Sequence, residues 1–191
     1  AAAMIKEIVE AVLIGFDPFK TELLWSRMLR ESFWGLGGGP VLYAAMSAID
    51  TALWDIKGKA LNVPVYQLLG GKTNDDLRTY ASQLQFDWSQ DCVKMLTPDD
   101  YARAASKAIA EGYDAVKVDP IVYDANGDSS YDRTKLFTPK QMKLFGDRMR
   151  AIRKEVGDDV DIIFEAHSLM GCASAIQMGS IVEEVGCMMF E

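Results

Sequence analysis

The stretch from residue 138 to residue 167 opens with Thr138-Pro139-Lys140-Gln141 and closes with Val160-Asp161-Ile162-Ile163-Phe164-Glu165-Ala166-His167. Thr138 has the side chain of a helix cap, Pro139 suits the first helical position, and Gln141 is placed to close a capping box. Met142, Phe145, Met149 and Ile152 then recur at helical spacing on one apolar face, and Gly157 ends the helix. Val160–Phe164 is a short apolar run of strand length that meets ionisable residues at its end. One helix followed by one buried strand is the unit that this stretch defines.

The same unit recurs on both sides. Upstream, Thr97-Pro98-Asp99-Asp100 is a second helix start with acids in its first turn, Ala105, Ala108 and Ile109 form its inner face, and Gly112 stops it. Ala115-Val116-Lys117-Val118 follows as a strand, and Arg78-Thr79-Tyr80-Ala81 is an earlier, short strand candidate. Downstream, a helix over about 172–184 leads through Gly186 to a last strand, Cys187-Met188-Met189-Phe190. Strands alternating with helices predict parallel βα units wound right-handed, in either a doubly wound sheet or a TIM-type barrel. Residues 1–75 read differently, as helices. One starts at Asp17-Pro18 and carries Leu23, Leu24, Met28 and Leu29. Another runs from about Val41 to Ala60 with a narrow stripe of Ala44, Ala48, Leu53, Ile56 and Ala60, and a short helix ends at Gly70-Gly71. Two domains are expected, 1–75 and 76–191.

Composition narrows the function. Of 191 residues, 49% are hydrophobic and 25% charged, a globular composition rather than a disordered one. The formal net charge of −8, with no basic run, argues against a nucleic-acid partner, because phosphate contacts need clustered Lys and Arg. No apolar stretch approaches the ~18 residues of a membrane span. The start carries Glu7 and Glu10 and lacks the charge order of a signal peptide. The three cysteines, Cys92, Cys172 and Cys187, show no metal-like spacing and read as reduced thiols of a cytoplasmic protein.

In both parallel architectures function gathers at the carboxyl ends of the strands. Those ends carry Ser82-Gln83, Lys117-Val118-Asp119, Glu165-Ala166-His167 and Glu191. Carboxylates from adjacent strands that share one mouth repel unless a cation or a shared proton holds them, and hard oxygen ligands suit Mg²⁺. A lysine beside them is a candidate base if burial or a metal lowers its pKa. Strand-end carboxylates also cap helices or pair with a lysine across the sheet, and a lone histidine often has a structural role. From residues alone, then, the reading is an α/β protein with a candidate metal–carboxylate site.

Ala48-Ile49-Asp50-Thr51-Ala52-Leu53-Trp54-Asp55-Ile56-Lys57-Gly58-Lys59-Ala60, continued by Asn62-Val63-Pro64-Val65-Tyr66-Gln67-Leu68-Leu69-Gly70-Gly71, resembles the enolase superfamily in its mandelate racemase and muconate-lactonizing group. The resemblance extends through the βα units, over nearly all of the chain beyond the first dozen residues. It implies the helical part of an α+β capping domain followed by a modified TIM barrel. A whole barrel takes about 250 residues, so the part from residue 76 is expected to be its first half and the chain a truncated view of a longer protein. The implied chemistry is Mg²⁺-assisted removal of a proton alpha to a carboxylate.

Position by position, the resemblance makes Glu165 and Glu191 metal ligands, with Glu where the family usually has Asp at the first. Lys117 and Asp119 fall on a Lys-x-Lys pair whose second lysine is aspartate here. His167 resembles the histidine with which acid-sugar dehydratases of the mannonate and galactonate type protonate a departing hydroxyl. Lys117, Asp119 and a loop tyrosine are the candidate bases. Gln83, and Tyr123, Tyr131 and Arg133 in the long loop Pro120–Phe137, are expected to face the substrate, a small carboxylate. The resemblance also implies a homo-oligomer. It leaves three outcomes: dehydration of a sugar acid, racemisation or cycloisomerisation, and a non-catalytic relative.

Overall fold

The computed structural model describes residues 2–32 and 35–191, and its chain divides into two compact units, Ala1–Asp76 and Leu77–Glu191. The first unit is helical. Helix α1 (Ala2–Ile8) passes into a π-helical turn (Val9–Leu13), then come α2 (Thr21–Glu31), α3 (Pro40–Leu61) and the single-turn α4 (Val65–Leu68). Helix α2 begins later than Asp17-Pro18 predicts. The Asp17 carboxylate accepts the amide N–H of Phe19 at 2.9 Å and its carbonyl accepts that of Lys20 at 3.1 Å, so this segment closes as a turn ahead of the helix.

Within the first unit, α3 buries Leu42, Ala45, Met46, Ile49 and Leu53 against Ile8, Val12, Leu13, Leu24 and Met28. The alanine stripe predicted from the sequence is therefore corrected: Ala44, Ala48, Ile56 and Ala60 are exposed, and only Leu53 of that set is buried. Leu42, Met46, Ile49 and Leu53 each remove far more apolar area from water than an alanine does, and their face is the one turned inward, with Ala45 among them. Asn62 closes α3 in the left-handed conformation (φ 54°), and Val63 returns its N–H to the Gly58 carbonyl.

The second unit carries a parallel sheet of β1 (Ala115–Val118), β2 (Asp161–Phe164) and β3 (Met189–Phe190), in that order, with α5 (Pro98–Ala110), α6 (Pro139–Val156) and α7 (Cys172–Val185) between and before the strands. Both capping boxes expected from the sequence are formed, Thr97 with Asp100 and Thr138 with Gln141. Val116, Val118, Ile162 and Phe164 turn one face of the sheet toward Tyr101, Ala104, Ala108, Phe145, Met149 and Ile152 in a single buried cluster. The candidate strand at 78–81 reduces to one parallel bridge, Ala81 with Val116. Arg78 is drawn instead to Asp114 (3.0 Å) and Asp161 (2.7 Å), and the chain leaves the extended conformation at Gln83 (φ 68°). The last strand is shorter than expected because the Cys187 N–H goes to Val182 at the end of α7.

No helix among the described residues is long and apolar enough to cross a membrane. Replacing the Thr138 cap removes a partner of the Gln141 amide. Thr138→Ala is expected to lower stability by about 1 kcal/mol, read as a shifted midpoint in urea with an unchanged slope.

Candidate active site

Strand register builds the site. Lys117 pairs with Ile163, and Ile163 with Met189, so these three side chains share one face of the sheet. Two residues further on, the same face receives Asp119, Glu165 and Glu191. The carbonyl and amide pairs Glu165 N–H to Val118 (2.9 Å), Glu191 N–H to Phe164 (2.8 Å) and Ala166 N–H to Glu191 (2.9 Å) carry the ladder just past the strand ends. The ionisable residues at the three strand ends are thereby brought level.

The Lys117 ammonium lies 2.9 Å from Glu165 Oε2 and 3.1 Å from Glu191 Oε2, and 5.3 Å above the ring of Tyr80. Hydrogen bonding to Glu165 raises the Lys117 pKa above its ordinary value, with Glu191 adding to the effect against the cost of burial. Burial alone would raise the Glu165 carboxyl, but the His167 amide and the Lys117 ammonium outweigh it and hold it below the usual range. Lysine pairing across the sheet is thus what the structure contains, with Lys117 as the positive centre on which the two glutamates converge.

A second pair lies alongside. His167 Nδ1 is 3.0 Å from Asp119 Oδ2, and its backbone N–H donates to Glu165 Oε1 at 2.6 Å. His167 and Ser168 both adopt left-handed backbone conformations (φ 52° and 55°), which turns the chain sharply after β2 and lays the imidazole over Asp119. Asp119 is 2% exposed, and that burial raises its pKa, opposed by the Ile121 amide on Oδ1 and by His167. Nδ1 is therefore committed to Asp119, and Nε2 is the nitrogen left for a bound molecule.

The remaining expected site residues are placed elsewhere. Gln83 follows Ala81, which pairs with Val116, so Ser82 rather than Gln83 continues the face of Lys117; Gln83 Oε1 instead accepts from Gln85 Nε2 at 2.7 Å. Tyr123 is buried, edge-on to Phe86. The Tyr131 hydroxyl donates to the Ile121 carbonyl, and burial pushes its pKa up to about 12. Arg133 donates to Ile121 (3.0 Å) and Val122 (2.6 Å) and stacks on Tyr131. Backbone carbonyls thus take the Tyr131 hydroxyl and the Nε and Nη2 donors of Arg133. Sequence reasoning missed Gln85, whose buried side chain accepts the Asp119 N–H, and Arg148, which is fully buried. The second had a signal: Arg148 falls three residues after Phe145 and four before Ile152, on the inner face of α6.

Two hard carboxylate oxygens converging on one positive centre form a donor set that suits a divalent cation such as Mg²⁺. Among the described residues no group of three or more His, Cys, Asp and Glu side chains gathers in a metal-holding arrangement, and Glu165 with Glu191 is the converging pair.

Parallel βα units with acid, base and imidazole at the strand ends define a barrel-type enzyme scaffold. The N-terminal domain of the mandelate racemase/muconate lactonizing enzyme family matches residues 1–70, and the enolase C-terminal-like domain matches residues 100–191; the chain belongs to this family. A solved member of the enolase superfamily from Salmonella Typhimurium is 48% identical and superposes with a TM-score of 0.92 over 98% of this chain and 48% of its own. A D-gluconate/D-galactonate dehydratase of Picrophilus torridus is 33% identical over 96% of this chain and 42% of its own length. A D-galactonate dehydratase family member of Cellvibrio japonicus is 32% identical over 90% of this chain and 44% of its own. The chain spans less than half the length of each. The likeness reaches residue 1, further than the sequence resemblance suggested.

The Lys117 interactions have a pH window. A depressed Glu165 pKa stabilises the fold above about pH 4.3, and that part is lost as pH falls. A raised Lys117 pKa stabilises it below about pH 10.4, and that part is lost as pH rises through the folded-state value. Lys117→Met is expected to cost about 3 kcal/mol near pH 7, with the deficit shrinking below about pH 4, as followed by denaturation across pH.

Proposed function

We propose that the protein takes part in Mg²⁺-dependent dehydration of a sugar acid. The observation that carries this reading is the His167 ring held on buried Asp119 directly beside the Glu165–Lys117–Glu191 cluster. The likeness to sugar-acid dehydratases at 32–33% identity supports it. Glu165 and Glu191 would hold Mg²⁺, which, when bound, supplies Lewis-acid stabilisation of negative charge on a substrate carboxylate.

The chain's own groups divide the proton work. Of the candidate bases, Asp119 is committed to His167 and the Ile121 amide, and Tyr131 to a carbonyl. Lys117, an ammonium while it is paired with the two carboxylates, would receive the α-proton only as the neutral amine, after it leaves them and gives up a proton to solvent. His167, as the imidazolium with its Nδ1–H on Asp119, donates the Nε2 proton to the β-hydroxyl, the β carbon–oxygen bond breaks, water leaves, and the enol product tautomerises to a 2-keto-3-deoxy acid. Racemisation shares the first of these steps, and the family's racemase branch makes it the second reading. Deuterium entering the α position with no loss of water would favour it.

The test incubates the protein with a panel of sugar acids and Mg²⁺ in deuterated water. Wild type is expected to form 2-keto-3-deoxy products. His167→Asn is expected to keep α-deuterium exchange and lose dehydration by at least about 10²-fold, and Lys117→Met to lose both. Full dehydration by His167→Asn would remove its acid role.

A further inference from the structure

The six backbone carbonyls from Asp119 to Asp124 run in sequence through irregular chain just after β1, and every one is met by a side-chain donor. Tyr101 Oη reaches the Asp119 carbonyl at 3.4 Å. Arg148 Nη1 donates to Pro120 (2.7 Å) and Tyr123 (2.6 Å), and its Nη2 to Asp124 (3.4 Å). Tyr131 and Arg133 Nε share the Ile121 carbonyl, and Arg133 Nη2 takes Val122 at 2.6 Å. Buried carbonyls outside regular structure need donors from somewhere. Here two guanidinium forks supply five of the six, and a tyrosine shares the carbonyl at Ile121.

The arginines come from opposite sides. Arg148 projects from α6, is 0% exposed, and also donates to the Leu96 carbonyl at 2.7 Å. Among the described residues it has no carboxylate within ion-pair distance. A buried charge paired only with carbonyls carries a desolvation penalty that an apolar side chain would avoid. Arg133 belongs to the loop itself and is anchored to α7, since Ser174 Oγ donates to its carbonyl at 2.9 Å. Gly171, at the start of α7, leaves room for the Thr134 carbonyl, which a Cβ would strike. What this arrangement fixes is Asp119, whose N–H is held by Gln85 at 3.2 Å and whose Oδ1 accepts the Ile121 N–H at 2.9 Å.

We infer that Arg133 and Arg148 are positioning residues that clamp the carbonyls of Pro120–Asp124 and thereby hold Asp119 against the ring of His167. The clamp rests on the dehydratase reading for its catalytic consequence, though not for its geometry. Methionine in place of Arg133 keeps much of the apolar stem and removes every donor. Lysine in place of Arg148 keeps the charge but has one nitrogen, and cannot serve the Pro120 and Tyr123 carbonyls together with those of Leu96 and Asp124, which Arg148 divides between Nη1 and Nη2.

His167 is the only histidine of the chain, so nitrogen-15 spectra of its imidazole report one ring without assignment. In metal-free wild type at neutral pH, the neutral ring is expected in the Nδ1–H form. Arg133→Met and Arg148→Lys should mix the two tautomers, as Asp119→Asn should, and should lower kcat on the sugar acid by about 10²-fold with KM nearly unchanged. Thermal melts show whether each variant folds. If Arg148→Lys does not melt cooperatively, Arg133→Met decides alone. An unchanged tautomer and unchanged kcat in a folded Arg133→Met protein would overturn the clamp. If wild type dehydrates no sugar acid, the dehydratase reading fails while the imidazole spectra still decide the clamp.

Discussion

The in-register parallel pairing of Val118 with Phe164, and of Phe164 with Phe190, is the constraint on which the site depends. Because these pairs end the strands together, the next residue of each chain segment, Asp119, Glu165 and Glu191, emerges at one level. The period of two along each strand then puts Lys117, Asp119, Glu165 and Glu191 on one side, and Val116, Val118, Ile162 and Phe164 on the helix side, while the left-handed turn after β2 brings His167 back to the first side. A slip of one residue in either pairing would turn a carboxylate toward the apolar cluster with Phe145 and Met149. Core packing on one face thus enforces charge placement on the other.

Charges placed this way must be compensated. The structure does so with two linked pairs, the Lys117 ammonium between two glutamates and the His167 imidazole on Asp119, with Glu165 touching both through Lys117 and through the His167 amide. Glu165 is therefore the hinge of the cluster. The two loops that follow β1 and β2 take opposite routes to order. The second is a sharp left-handed turn at His167 and Ser168, whereas the first is long and borrows donors from two arginines and two tyrosines.

Much of this was legible in the sequence, and the reasons are local. Both capping boxes lie within four residues of chain, and each strand is an apolar run that meets an ionisable residue where it ends. The parity of residues 117, 119, 165 and 191 could be read once the strands were placed. What failed depended on distant partners. The alanines of α3 looked like an inner face by spacing alone, but the helix is turned so that Leu42, Ala45, Met46, Ile49 and Leu53 face inward. The bonding of Tyr131 and Arg133 was equally out of reach. The carbonyls of Pro120–Asp124 that claim their donors cannot be seen without the fold. The register set by Ala81 and Val116 likewise moved Gln83 off the face that its strand-end position suggested.

The central claim is that Glu165 and Glu191 form one cation-holding pair, with the Lys117 ammonium at their meeting point. Calorimetric titration of the protein with Mg²⁺ tests this most directly. The account predicts a single class of Mg²⁺ site that is lost in both Glu165→Gln and Glu191→Gln, with each variant still folded by its melting curve. Mg²⁺ binding that persists unchanged in either folded variant, or no binding by wild type, would contradict it.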